Sequence, residues 1–265
     1  MESSGEGGGQ AVGFTEIETS AEALGRSEIS HIVKEILGFI LYMHRQIPSV
    51  LQNLEQEFDA LKEEYRRLGE GSVVGFEEPR ASWRRKHNWR KREVKRGIKR
   101  LEKLMNSVSR LVSAFREAID GVSEIQSVAF LLGGSPLRPR YVYELEFSSG
   151  GFDSCGAEDC GKTKLAEALS RKAIRALISN GAGSASYLGP TKLYLLVKCS
   201  STFNLPMHFL PKRQFKHPKK VVPFKLHVKC KTTSASTIDC NQAEVIWFQC
   251  THAIKGIPCN VHSED

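Results

Sequence analysis

The chain has 265 residues, 40% of them hydrophobic, and a formal net charge of +8. That supply of apolar side chains suits one large domain with a loose end. No apolar run approaches the roughly 20 residues of a bilayer span, and the glycine-rich start lacks the basic and apolar regions of a secretory signal, so a soluble intracellular protein is expected.

The charge is local. Arg80 to Lys103 holds twelve Lys/Arg against two Glu, a net +10, which leaves the rest of the chain at −2. Seven cysteines, an odd count without an export signal, imply reduced thiols in a cytosolic or nuclear compartment.

In chain order, residues 1–26 are rich in Gly, Ser and Glu and are expected to form a disordered tail. The ordered domain is expected over 27–258, with a basic segment at 79–103 inside it and a short tail at 259–265. Ile29, Ile32, Val33, Ile36, Leu37 and Ile40 recur at steps of three and four, which predicts an amphipathic helix with Ser27 as N-cap and Pro48 as its stop. Val50 to Leu68 reads as a second helix carrying Leu51, Leu54, Phe58, Leu61 and Tyr65 on one face, and Gly69, Gly71, Gly75 and Pro79 predict a loop after it.

The basic segment grades into a long helix, in which Val94, Ile98, Leu101, Met105, Val108, Val112, Phe115 and Ile119 keep helical spacing until Gly121. An apolar strand Val128 to Leu132, a Gly133-Gly134 turn, and an alternating strand with Tyr141, Tyr143, Leu145 and Phe147 on one side follow. A further helix is predicted over Lys162 to Ser179, with Leu165, Leu169, Ala173, Ala176 and Leu177 inward. Lys192 to Cys199, Val222 to Cys230 and Glu244 to Cys250 read as strands. Helices first and strands after them predict an α+β domain with helices on one face of an antiparallel sheet.

The motifs that could carry chemistry are weak. Gly156 to Thr163 satisfies the phosphate-loop pattern between a strand and a helix. However, Ser148 to Cys155 separate it from the strand, Glu158 and Asp159 would face the phosphates, and no later strand ends in the Asp that Mg²⁺ needs. A solvent loop with Thr163 capping the helix is the expectation, and a nucleotide hydrolase ranks third among the functions.

Metal binding is not expected, because Cys250 and His252, Cys259 and His262, and Cys155 and Cys160 lack the close paired spacings of zinc sites. Cys199, Cys230 and Cys250 each close a predicted strand and read as small core residues. No catalytic residue and no cofactor are expected. Arg138 and Arg140, beside Pro136 and Pro139, read as turn residues.

Arg84, Arg85, Lys86, Arg90, Lys91 and Arg92, interleaved with Trp83 and Trp89, suit a nuclear-import signal or a contact with an acidic partner. No helix-turn-helix or zinc finger accompanies them, so nucleic acid is not the expected partner, and a basic nucleic-acid-binding protein stands as the second reading. The expected location is the nucleus, with cytoplasm and spindle or kinetochore during division.

Two blocks more than a hundred residues apart, Val128 to Phe147 and Val245 to Ile257, contain no nucleophile, acid/base pair or metal cluster and look built for packing and pairing. They also carry a resemblance. Leu131-Leu-Gly-Gly with Tyr143-Glu-Leu, and Ile246-Trp-Phe-Gln with Lys255-Gly256, resemble the comet family, the Mad-two-binding adaptors that silence the spindle checkpoint. Leu41-Tyr42 followed by Arg45-Gln46-Ile47-Pro48 resembles that family's first helix, and Phe209-Leu-Pro-Lys212 resembles a loop between its strands.

The resemblance implies a HORMA domain: three helices on a mainly antiparallel sheet, with a C-terminal segment that wraps back onto it. It also implies a non-enzymatic adaptor that binds the closed conformer of Mad-two and hands it to a hexameric AAA+ remodelling ATPase, the pachytene-checkpoint ATPase. Pro211 and Lys212 match the pair with which the family touches that ATPase. Met43, and Ile174 with its neighbour Arg175, stand at the Mad-two side, where this chain departs from the family's usual polar and aromatic residues.

Overall fold

The computed structural model describes residues 15–19, 21, 23–70, 81–122, 124–147, 160–183, 189–216, 220–231 and 244–258. Seven strands form one sheet in the order β1-β6-β3-β2-β4-β7-β5. They are β1 (Thr15–Glu18), β2 (Ile125–Ser135), β3 (Arg138–Phe147), β4 (Lys192–Ser200), β5 (Phe209–Lys212), β6 (Phe224–Lys229) and β7 (Val245–Lys255). The helices are α1 (Arg26–Met43), α2 (Leu54–Glu70), α3 (Ala81–Gly121) and α4 (Cys160–Ser179). Pairing is antiparallel from β3 through β2, β4 and β7 to β5, and parallel where β6 joins β3 and β1. The α+β architecture expected from the order of elements holds.

Strand β2 is apolar without alternation because both its faces are covered. Val128, Phe130 and Leu132 enter the main core under the helices, while Ala129 and Leu131 join Val142, Tyr194 and Leu196 in a second cluster. Phe215, Val221 and Trp247 lie over that second cluster, so the face away from the helices is not bare. Tyr143, Leu145 and Phe147 are buried in the main core and Tyr141 packs against it, as the alternation predicts.

Helix α1 packs against both α4 and α3, with Ile32, Ile36 and Ile40 fully buried. Helix α2 packs mainly on α3, with Leu54 at its start buried in the main core. Three helices therefore back the sheet, and the fourth is an addition to the outer half of α3.

Several local expectations are corrected. Residues 15–18, expected within a disordered tail, form β1, and Ile17 and Leu24 are buried. Residues 1–14 of that tail lie outside the described residues, as do Gly71, Gly75, Pro79 and the tail at 259–265. Gly25, not Ser27, caps α1, without a side-chain bond. The helix ends at Met43, before Pro48: Arg45 takes a left-handed φ of 51°, Arg45 N–H donates to Tyr42 O and Gln46 N–H to Leu41 O. That pair of bonds closes the helix as a Schellman motif and satisfies its last carbonyls.

The Gly133-Gly134 pair is not the turn. It lies inside β2, and Pro136 and Leu137 make the turn, so Arg138 and Arg140 stand on β3. A Cβ at Gly133 would come 2.8 Å from Pro139 Cα, so the missing side chain is needed for a close cross-strand approach at a register shift. Strand β7 does not stop at Cys250. Five residues of β7 from Gln249 to Ala253 span what the three from Leu196 to Tyr194 span on β4, a bulge after which pairing resumes to Lys255. Phe209 to Lys212, expected as a loop, is the edge strand β5.

The C-terminal segment does return to the domain, and Gln46 holds it. Gln46 is 1% exposed; its Nε2 donates to His44 O at 2.7 Å and Gly189 O at 3.1 Å, and its Oε1 accepts from Thr191 N–H at 2.7 Å. The same residue's carbonyl accepts from Ile257 N–H at 2.9 Å, and Gly256 N–H donates to Thr191 O at 2.8 Å. A Cβ at Gly256 would overlap the Gln46 amide oxygen. The Arg45-Gln46 and Lys255-Gly256 blocks therefore meet at one joint. Gln46→Ala leaves buried donors and acceptors unpaired, and a loss of about 3 kcal/mol is expected in urea denaturation. A loss under about 1 kcal/mol would contradict the joint's importance.

Next to it, His44 Nε2 and Tyr143 Oη share a 2.6 Å hydrogen bond, and the imidazole lies 4.3 Å from the Tyr141 ring. Burial pushes the His44 pKa from 6.5 down to about 4. The unfolded chain thus binds this proton more readily than the fold. The contribution of neutral His44 is fully present above about pH 6.5 and declines as pH falls toward 4, by at most about 3 kcal/mol. Subtracting the pH–stability curve of His44→Gln from that of the intact protein should isolate this decline; parallel curves would refute it.

Candidate functional site

Helix α4 divides cleanly between inner and outer faces. Leu169, Ala173 and Leu177 are buried in the main core, with Leu165 and Ala176 packed against it. Ile174 is half-buried and outside both core clusters, Arg175 is exposed, and Ile178, one turn after Ile174, is 54% exposed. An apolar pair at i, i+4 on the outer face is a ready seat for another helix. Sequence reasoning found Ile174 and missed Ile178, although the same periodicity puts Ile178 on that stripe.

Met43 is placed differently. It is half-buried against the core at the end of α1, and a Cβ on Gly183 would lie 2.9 Å from its Sδ. Gly183 has φ +96°, so this glycine admits Met43 into the joint where α1 and α4 end. Tyr42, the residue before it, is 49% exposed on α1 and offers an aromatic side chain beside that joint. Met43, Ile174 and Arg175 thus stand on one pair of packed helices.

Pro211 and Lys212 lie at the opposite end of the architecture, on the edge strand. Both are exposed, with Pro211 opposite Phe248 and Lys212 opposite Trp247 on β7. Phe209 anchors β5: it is 2% exposed and meets the Phe203 ring edge-on at 5.7 Å. Proline is tolerated there because an edge strand needs no donor on its free side. Leu210, missed in the sequence, is 49% exposed on the same strand.

The basic residues fall on the N-terminal half of α3 and divide by direction. Arg90 is bound by Glu64 of α2 at 2.7 Å and by Glu93 at 3.3 Å, and Lys91 lies 5.7 Å over the Tyr65 ring. Arg84, Arg85, Lys86 and Arg92 are exposed, as are Trp83 and Trp89. The α2–α3 hairpin thus engages Arg90 and Lys91, while Arg85, Lys86 and Arg92 are exposed.

The thiols among the described residues are poor nucleophiles. Cys199, Cys230 and Cys250 are free and buried, and burial pushes Cys199 up to about 12 and Cys250 up to about 11. No three metal-ligating side chains converge among the described residues. His252 bonds His208 at 3.0 Å, and His208 Nε2 lies 3.3 Å from Glu117. Helix α4 begins at Cys160, so Thr163 is inside its first turn and is not the cap. The phosphate-loop residues 156–159, with Cys155, Cys259 and His262, lie outside the described residues.

Because the outer α4 stripe contributes nothing to either core cluster, Ile178→Lys should change folding stability by less than about 0.5 kcal/mol in thermal unfolding. A larger loss would mean that the stripe is structural.

No curated protein matches the chain. The p31comet family model, described as Mad1 and Cdc20-bound-Mad2 binding, matches residues 23–258. That span runs from the residues before α1 through the Gln46 joint to the last residue described, and so takes in every helix, all strands but β1, and both exposed faces. With the joined Arg45-Gln46 and Lys255-Gly256 blocks inside it, the match shows that the chain belongs to the p31comet family.

Proposed function

We propose that this protein is a non-enzymatic adaptor that grips the closed conformer of Mad2 through the outer face of α4 and the adjoining end of α1. It then presents Mad2 to a hexameric AAA+ remodelling ATPase through Pro211 and Lys212, and so silences the spindle assembly checkpoint. Meiotic HORMA proteins are further clients in this reading. Arg84, Arg85, Lys86 and Arg92 serve nuclear import, with Arg90 and Lys91 bound up in the hairpin.

The observation that carries the reading is the unfilled stripe of Ile174 and Ile178 on a helix whose opposite face is locked in the core. An adaptor performs no covalent step. It contributes a difference in affinity between two conformers of its client, and a rigid helix pair supplies that difference at little entropic cost. The second exposed strip, on β5, lies across the sheet from β1 and β6 near α4, so one molecule has room for two partners at once.

Two variants separate the faces. Ile174→Arg with Ile178→Asp should weaken capture of purified closed Mad2 by about tenfold or more in calorimetry. Pro211→Ala with Lys212→Ala should keep Mad2 capture and lose co-precipitation of the ATPase. Failure of the intact protein to bind closed Mad2 would end the proposal.

A further inference from the structure

A stripe of cations runs along the outer face of α3, and the proposed function uses only two of them, Arg85 and Arg92, and those for import. Arg85, Arg92 and Lys99 follow one another at seven-residue steps, and so do Arg96, Lys103 and Arg110. On a helix of about 3.6 residues per turn, both rows fall on the same side, opposite the buried Val94 and Leu101. All six are exposed. None has a carboxylate partner among the described residues; Arg85 and Arg96 donate only to the helix carbonyls of Ala81 and Arg92. Glu93 and Glu102, the two carboxylates of this span, fall on either side of the stripe.

The inner cations behave otherwise. Arg90 is neutralised by Glu64 and Glu93. A solvated face normally mixes signs, whereas this one carries a single sign over 25 helical steps, about 38 Å at a rise of about 1.5 Å per residue. That length is close to the roughly 34–36 Å of one turn of B-form DNA.

The stripe continues into a cavity. Lys103 and Arg110 line a space of about 330 Å³ with Asn106, Ser107, Thr251 and His252, and no carboxylate lines it. Burial, with the nearby charges of His208 and Arg110, lowers the His252 pKa, and Glu117 lies 3.3 Å from His208. Trp89, 60% exposed at the margin of the stripe, offers a flat face to a sugar.

We propose that the outer face of α3, from Arg85 to Arg110, is a docking surface for the phosphate backbone of B-form duplex DNA. The charge is of one sign, linear and rigid, which matches a regular polyanion. A helix about 10–12 Å across also suits the roughly 12 Å major groove of B-DNA, whereas the deep, narrow major groove of an RNA duplex does not admit it. Binding is without sequence preference, since the stripe consists of phosphate-seeking groups. This surface is separate from the α4 stripe, so its failure and that of Mad2 capture are independent.

The test is fluorescence anisotropy of the full chain with a labelled duplex DNA of roughly one to two turns, across a salt series from about 50 to 200 mM. Six phosphate contacts predict a log–log salt slope near −5, at about −0.9 per contact. Arg92→Glu with Lys99→Glu and Lys103→Glu should weaken binding at least about tenfold and remove about three from the slope's magnitude. Arg140→Glu, an exposed cation on β3, should leave binding unchanged. Absence of binding at the lowest salt, wild-type binding by the triple variant, or equal affinity for duplex RNA or polyglutamate would each overturn the proposal.

Discussion

The side-chain amide of Gln46 is the point on which the arrangement depends. A single buried amide bonds the end of α1, the entry to β4 and, through its own backbone carbonyl, the segment after β7. Each of those segments has buried backbone groups that need partners, and no continuous ladder supplies them. The last strand pairs with β4 along its length and carries β5 outward, and the joint fixes its exit to the helix layer. Gly256 serves the same joint by leaving space for that amide oxygen.

From this joint the two exposed faces take their rigidity. Helix α1 packs on α4, and the two helices end alike: Gly181, at φ +80°, lets Ala182 N–H reach Leu177 O, as Arg45 lets Gln46 reach Leu41. Both ends turn a buried residue inward after a left-handed one, and Met43 against Gly183 locks them together. The outer stripe of α4 is thus mounted on an immobilised pair. On the other side, the β7 bulge turns Thr251 toward His208 O, at 2.8 Å, and ties the approach to β5.

What was legible in the sequence was whatever repeats locally. The three- and four-residue spacing of Ile29 to Ile40 and of Val94 to Ile119 located α1 and α3 because a helix buries one face whatever it packs on. Ile174 came from the resemblance to the comet family, and its position off the inward stripe of α4 agrees with that. By contrast, β1 and β5 are four residues each and gain their order from strands 211 and 39 positions further on, Thr15 pairing in parallel with Leu226 and Leu210 antiparallel with Gln249. The Gln46 amide bonds residues more than 140 positions away, and nothing near it in the chain marks that role. Gly133 was legible as special but not as to why, since its constraint comes from Pro139 across the strand pair.

The ends of the sheet carry a consequence for a molecule whose relatives bind a folded partner. An open strand edge is a template on which further chains can assemble into fibres. Here one border is the short β5, where a proline withholds a donor and a lysine follows it; the other is the short β1, which itself carries Glu16 and Glu18. Such borders discourage copies of the chain from stacking edge to edge, while the side chains of β5 stay open to a partner of another shape.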